Sequence, residues 1–136
     1  MRWRRKSWPA EKIILKLMNR FALFGGGKIW GEELEGLNIY TDVVLEKFLK
    51  DMVIIKKPSS PGLIAIHLNE TLVEACLAEV IVKELAKAKQ AVHKVAFVGL
   101  KHIAQKLMKS ILEKESISFA YSFYSDYEKA KEWLVN

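Results

Sequence analysis

Cysteine, proline and long apolar runs are the scarce features of this chain. Its 136 residues include one cysteine and three prolines, so neither a disulfide scaffold nor a proline-rich disordered segment fits the composition. Hydrophobic residues make up 51% of the chain, but no uninterrupted apolar stretch approaches the roughly 18 residues that a transmembrane helix needs. The composition therefore indicates one globular core, and the single cysteine fits a reducing, cytoplasmic location.

The positive charge is concentrated near the start of the chain. The formal net charge is +6, from 22 basic and 16 acidic residues. Residues 1–30 contain eight bases and one acid, whereas the other 106 residues contain fourteen bases and fifteen acids, a net charge of −1. A basic arm on a nearly neutral body is weaker evidence for nucleic-acid binding than a basic patch on a folded face would be. We therefore divide the chain into a basic arm, residues 1–26, and a domain, residues 27–136.

The arm has an apolar stripe at helical spacing between Ala10 and Phe24, opposite its lysines. This pattern predicts a basic amphipathic helix that begins near Ser7, and the glycines at 25–27 predict a flexible joint after it. Four residues of the stripe form the predicted docking element: Ile13, Leu17, Phe21 and Phe24. The domain or a second copy of the chain is the expected partner, and an anionic membrane or nucleic acid is the alternative.

After the arm, hydrophobic periodicity predicts helices and strands that alternate. Residues 28–40 predict one or two short strands, followed by a helix over 41–52 that Thr41 or Asp42 caps. Further strands are predicted over 63–68, 94–100 and 117–124, with helices over 71–90, 102–114 and from 125 onward. Alternation of this kind places strands parallel to one another through right-handed crossovers. The predicted fold class is therefore α/β, with a mainly parallel sheet.

Two short patterns predict where helices begin. Thr71-Leu-Val-Glu74 and Ser125-Asp-Tyr-Glu128 both match the capping box, in which a hydroxyl and a carboxylate satisfy the first free amides. Leu72 and Cys76 then fall on the inward stripe of the helix that Thr71 starts. This placement predicts that Cys76 is a small buried hydrophobe rather than a nucleophile.

The C-terminal part of the chain resembles a known family. The segments Lys94-Val-Ala-Phe-Val-Gly99 and Phe123-Tyr-Ser-Asp-Tyr-Glu-Lys-Ala-Lys-Glu-Trp-Leu134 are similar to the closing half of a SpoIIAA-like, STAS-type domain, and a weaker likeness extends over 28–136. The resemblance implies a small cytoplasmic domain that acts without catalysis, by binding partner proteins or a small ligand. Anti-sigma factor antagonists of this family are phosphorylated on a serine after the central strand. The matching stretch here, residues 69–76, contains no serine, and Thr71 is its only hydroxyl.

Polar residues follow each of the three predicted parallel strands. Because ligands of open α/β sheets bind beyond the carboxyl ends of the strands, these residues form a predicted binding rim for a partner or ligand: Asn69, Glu70, Thr71, Gly99, Lys101, His102, Ser125 and Asp126. Thr71 and Ser125 have a simpler interpretation as helix caps.

No catalytic constellation is evident from residue spacing. His67, His93 and His102 are too scattered for a two-histidine metal motif, and no second cysteine supplements them. We therefore predict no enzymatic activity, no cofactor and no metal. The leading hypothesis is a STAS-like regulatory domain that binds a protein partner or a second copy of itself. The alternative is a small-molecule or lipid carrier with its site at the strand ends.

Overall fold

The computed structural model describes residues 21–24, 27–36, 40–57 and 62–136. The elements follow one another as β1 (Phe21–Phe24), β2 (Gly27–Glu33), α1 (Thr41–Ile55), β3 (Leu63–His67), α2 (Ala75–Lys87), β4 (Lys94–Val98), α3 (His102–Lys114), β5 (Ala120–Tyr124) and α4 (Tyr127–Val135). No helix within these ranges is long and apolar enough to span a membrane.

The strands form one sheet in the order β1-β2-β3-β4-β5. β1 and β2 are antiparallel, with Phe21 opposite Trp30. Strands β2 to β5 pair in parallel, and the register places Glu33 opposite His67 and His67 opposite Val98. The predicted α/β class with alternating helices and parallel strands is confirmed.

The helix predicted for the arm is wrong where the structure describes it. Phe21–Phe24 form strand β1, Phe24 lies opposite Gly27, and Gly27 is the first residue of β2 rather than part of a joint. A short apolar run does not distinguish a strand from a helix by periodicity, and here pairing with β2 satisfies the backbone of β1. Ile13 and Leu17, the other two predicted docking residues, lie outside the described residues.

The sheet is covered unequally on its two faces. Helices α1, α2 and α3 pack on one, which we call the three-helix face, over a core that includes Trp30, Phe48, Ile66 and Phe97. Of the described helices, only α4 packs on the opposite face, which we call the one-helix face. There Ala130 and Leu134 form a second cluster with four residues of the sheet: Ile29, Ala65, Ala96 and Val98. Strand β4 is therefore buried on both of its faces, as its nearly continuous run of apolar residues predicts.

The order of connections explains this asymmetry. The strand order from β2 to β5 follows the chain without reversing, and crossovers of one hand place α1, α2 and α3 on the same face. Helix α4 does not connect two strands of the described sheet, and it covers the opposite face. Ligand crevices of doubly wound sheets form where the strand order reverses, and the described sheet has no such point.

The N-termini of α1 and α2 differ from the sequence prediction. Tyr40, rather than Thr41 or Asp42, is the N-cap residue of α1, and its carbonyl accepts from the amides of Val43 and Val44. Helix α2 begins at Ala75, with Glu74 as its N-cap residue, so Thr71 caps no helix. The Thr71 hydroxyl instead donates to the carbonyl of Leu34, beyond the end of β2. A tertiary hydrogen bond has replaced the local one that the capping box requires.

Asp126 caps the N-terminus of α4, one residue after the predicted cap, Ser125. The Asp126 carboxylate accepts a 2.9 Å hydrogen bond from the Glu128 amide, and Ser125 lies one residue outside the cap. Both residue types are good caps, so the local pattern located this helix start to within one residue.

An ionic network is sealed under the three-helix face, between β2 and α1. Glu32, Lys47 and Asp51 are 0%, 5% and 1% exposed. Lys47 Nζ lies 2.8 Å from Asp51 Oδ2 and 3.7 Å from Glu32 Oε2, and Trp30 Nε1 donates to Glu32 Oε1 over 2.7 Å. Burial raises the pKa of Glu32 well above its ordinary value; the Lys47 ammonium opposes this shift, and hydrogen bonding with Asp51 adds to it. When Glu32 is protonated, the Lys47–Asp51 ion pair leaves the network without net charge.

Candidate functional site

A groove of about 380 Å³ opens on the three-helix face at the carboxyl ends of β3 and β4. The segment after β3, residues 68–73, forms one side, and the first turns of α3 form the other. We call it the apolar groove because most of its lining is aliphatic: Leu68, Leu72, Val73, Leu100, Ile103, Ala104 and Leu107, with Glu70, Thr71, Gly99 and Lys101 as the remaining lining residues. A concave apolar surface with a few charged groups is suited to binding.

The structure brings half of the predicted rim together. Glu70, Thr71, Gly99 and Lys101 line the apolar groove. The other four residues do not line it. Asn69 and His102 are exposed neighbours of the groove, Ser125 is exposed, and Asp126 caps α4. Ser125 and Asp126 do not line the groove, although the end of β5 is close to it, because the Gly99 amide donates to the Tyr124 carbonyl over 2.9 Å. A single site formed by all eight residues stays a prediction.

Gly99 lets the segments after β3 and β4 approach one another. Its φ is +89°, in the left-handed region that favours glycine. A Cβ added at this position would also collide with the side chain of Asn69. Both the backbone conformation and the close contact therefore require glycine. With Thr71 bonded to the Leu34 carbonyl, the 69–71 segment is held against the end of β2, and it forms a defined side of the groove.

Two large apolar side chains at the mouth of the groove are exposed to solvent. Leu72 is 44% exposed and Ile103 is 82% exposed. The predicted inward position of Leu72 is wrong, because α2 starts at Ala75 and Leu72 precedes it. The same shift places Cys76 in the exposed first turn of α2, so the prediction that it is buried is also wrong. The buried stripe of α2 consists of Leu77, Ala78, Ile81, Val82 and Leu85.

A second group of polar side chains lies on the one-helix face, at the ends of β2 and β3. His67 Nε2 is 3.6 Å from Glu33 Oε2, and His67 Nδ1 is 3.9 Å from Glu35 Oε1. We call these three residues the carboxylate–imidazole cluster. His67 is 5% exposed, and its ring meets that of Tyr127 edge to face, with centroids 4.3 Å apart. Burial raises the pKa of the Tyr127 hydroxyl, and the carboxylates of Glu33 and Glu128 raise it further.

Sequence reasoning did not find this cluster. The sequence signal for the cluster is alternation at the ends of two strands. Glu33 and Glu35 lie on one face of β2 and the residues after it, and His67 and Asn69 lie on one face of β3 and the residues after it. Asn69 Nδ2 lies within 3.4 Å of Glu35 Oε1. The signal becomes specific only with the register that places Glu33 beside His67.

No family model, curated protein or solved structure matches this chain. The likeness to STAS-type domains therefore rests on the residues of its two C-terminal motifs and stays a prediction.

Proposed function

We propose that this chain is a non-catalytic, STAS-like interaction domain of the cytoplasm that associates with a second copy of itself through the apolar groove. The observation that supports this proposal is the 82% exposure of Ile103 beside a concave aliphatic surface. An exposed apolar patch rimmed by charges is typical of an interface.

In the proposed dimer, the groove of one copy receives the Ile103 side chain of the other. Ile103 protrudes at the edge of a groove that has room for an aliphatic side chain. In a dimer with a two-fold axis, each patch contacts the same patch of the other copy, so both copies form the same contact. Each Ile103 then enters the groove of the other molecule, next to Leu72, and two exposed side chains are buried at once.

The charges at the groove also complement themselves. One acid, Glu70, and one base, Lys101, line it. A two-fold axis through the patch allows the Glu70 of each copy to face the Lys101 of the other. Such paired charges set the orientation of an interface more than its affinity.

The small-molecule or lipid carrier is less well supported by this geometry. The described sheet has no reversal of strand order, where ligand crevices of α/β proteins form. Ile103, which lines the groove, is 82% exposed, so the groove does not enclose a small ligand. Native mass spectrometry separates the two functions, since a carrier retains an additional mass and a homodimer shows twice the mass of the chain.

Sedimentation velocity of the full chain over a wide concentration range tests the dimer. We expect the sedimentation coefficient to rise with concentration. Ile103→Glu is expected to raise the dissociation constant at least about a hundredfold, because it places an unpaired charge in the apolar groove. Val53→Glu is the matched control, since Val53 is 64% exposed on α1 and does not line the groove; it should leave association unchanged.

A charge exchange tests the orientation of the two copies. Glu70→Lys and Lys101→Glu should each weaken association, and the double variant should restore it. A wild-type chain that is monomeric at every concentration would overturn the proposal, as would an Ile103→Glu variant that dimerises normally. Retention of a small molecule by monomeric chain favours the carrier.

A further inference from the structure

We propose that Glu33, Glu35 and His67 bind a divalent transition-metal ion of the Zn²⁺ class. The site lies on the one-helix face, opposite the apolar groove, so it does not depend on the proposed dimer.

The donor atoms are close enough to share one ion. One donor atom from each of the three residues lies within 4.8 Å of the other two. Ligands about 2.1 Å from a tetrahedral zinc ion are about 3.4 Å from one another. The 3.6 Å between His67 Nε2 and Glu33 Oε2 already approaches this separation. The donor atoms are at most 4.8 Å apart, so a side-chain adjustment of up to about 1.4 Å brings Glu35 to the same ion.

The backbone holds the two strand ends in a fixed relation. Parallel pairing continues beyond β2 and β3, because the amide of Leu34 donates to the carbonyl of His67 over 3.0 Å and the amide of Gly36 donates to the carbonyl of Asn69 over 2.6 Å. These bonds hold residues 33–36 against residues 67–69. A site whose ligands sit on paired backbone loses little freedom when the ion binds.

The charge of the cluster favours a cation. The ion pairs that the structure gives for Glu33 and Glu35 are with His67, and within the described part of the chain no lysine or arginine is paired with either carboxylate. When the imidazole is neutral, as metal ligation requires, the two carboxylates give the cluster a charge of −2, which one divalent ion balances. The sealed network on the other face differs, because Lys47 supplies its cation.

The ligand types select the metal class. Mg²⁺ and Ca²⁺ prefer oxygen ligands alone, whereas an imidazole together with carboxylates suits Zn²⁺ and its neighbours. The buried ring of His67 is oriented by Tyr127, and the side chains of Glu33 and Glu35 are 21% and 37% exposed. An ion can therefore enter from the carboxylate side, and water can complete its coordination.

Titration of the full chain with Co²⁺, followed by visible absorption, and with Zn²⁺, followed by calorimetry, tests the site. We expect one ion per chain, with Zn²⁺ displacing Co²⁺ and excess Mg²⁺ displacing neither. Glu33→Gln, Glu35→Gln and His67→Gln should each weaken binding at least about tenfold. Glu35→Gln is the decisive variant. Glu35 is partly exposed and glutamine is nearly isosteric with it, so this variant is expected to fold even if substitution of the buried His67 destabilises the chain.

Three control variants test whether other side chains of this chain bind the metal ion. Cys76→Ser removes the exposed thiol, and His93→Gln and His102→Gln remove the exposed imidazoles; none of them should change the affinity. The proposal fails if no stoichiometric binding occurs, if Glu35→Gln binds as tightly as wild type, or if binding is lost in any of these controls.

Discussion

Glu32 and Glu33 are neighbours in the sequence and yet have opposite environments. Glu32 points to the three-helix face, where it is fully buried with Lys47 and Asp51. Glu33 points to the one-helix face, where its side chain lies beside His67 and is 21% exposed. The two residues are chemically identical, so the packing of the described elements over each face decides which carboxylate is sealed and which stays accessible to a ligand.

The same division applies at the end of β3. His67 turns toward the one-helix face and joins the carboxylate–imidazole cluster, whereas Leu68 turns toward the other face and lines the apolar groove. One edge of the sheet therefore presents an apolar surface on one side and an ionic cluster on the other. Substitutions in one of these sites are expected to leave binding at the other unchanged.

The largest expected effect is the loss of the cation from the sealed network. Lys47→Met leaves Asp51 buried without its ion-pair partner, and we expect the free energy of unfolding to fall by about 3–5 kcal/mol. Lys50→Met on the same helix is the control, since Lys50 is 74% exposed and its loss should change stability by less than about 0.5 kcal/mol. Urea denaturation of both variants measures the difference. Equal stabilities would show that the network contributes nothing to the fold.

A second change tests the proton on Glu32. Its pKa is raised in the folded chain, so between the ordinary carboxyl pKa and the raised value the folded chain holds a proton that the unfolded chain has released. The free energy of unfolding therefore falls as pH increases through this range. Glu32→Gln, which mimics the protonated form, should remove that fall and gain stability relative to wild type as pH rises.

Denaturation curves at a series of pH values measure this dependence. Glu46→Gln is the control, because Glu46 is exposed on α1, and it should retain the pH dependence of the wild type. A Glu32→Gln variant with an unchanged pH profile would show that Glu32 is ionised in the folded chain.

The smallest effect concerns α4, the described helix that packs on the one-helix face. Asp126→Ala removes the side-chain cap and should lower the free energy of unfolding by about 1 kcal/mol. Ser125→Ala should cost less than about 0.5 kcal/mol, since Ser125 is exposed and lies outside the cap. Thermal unfolding of the two variants ranks them, and the reverse order would assign the cap to Ser125.

Local periodicity was enough for much of the fold. The hydrophobic pattern predicted a strand over 63–68, where β3 spans Leu63–His67, and helix α3 was predicted over the residues that it occupies, His102–Lys114. Half of the rim followed from these elements, because parallel strands end at one edge of a sheet. These features depend on side chains a few residues apart, which the sequence displays directly.

Contacts between distant residues decided the remainder. Residues Phe21–Phe24 form a strand because they pair with β2. Thr71 caps no helix because its hydroxyl donates to the carbonyl of Leu34, 37 residues away in the sequence. The carboxylate–imidazole cluster exists only because the register places Glu33 beside His67. Strand register and helix coverage arise from cooperative packing of the whole domain, and no short stretch of sequence contains that information.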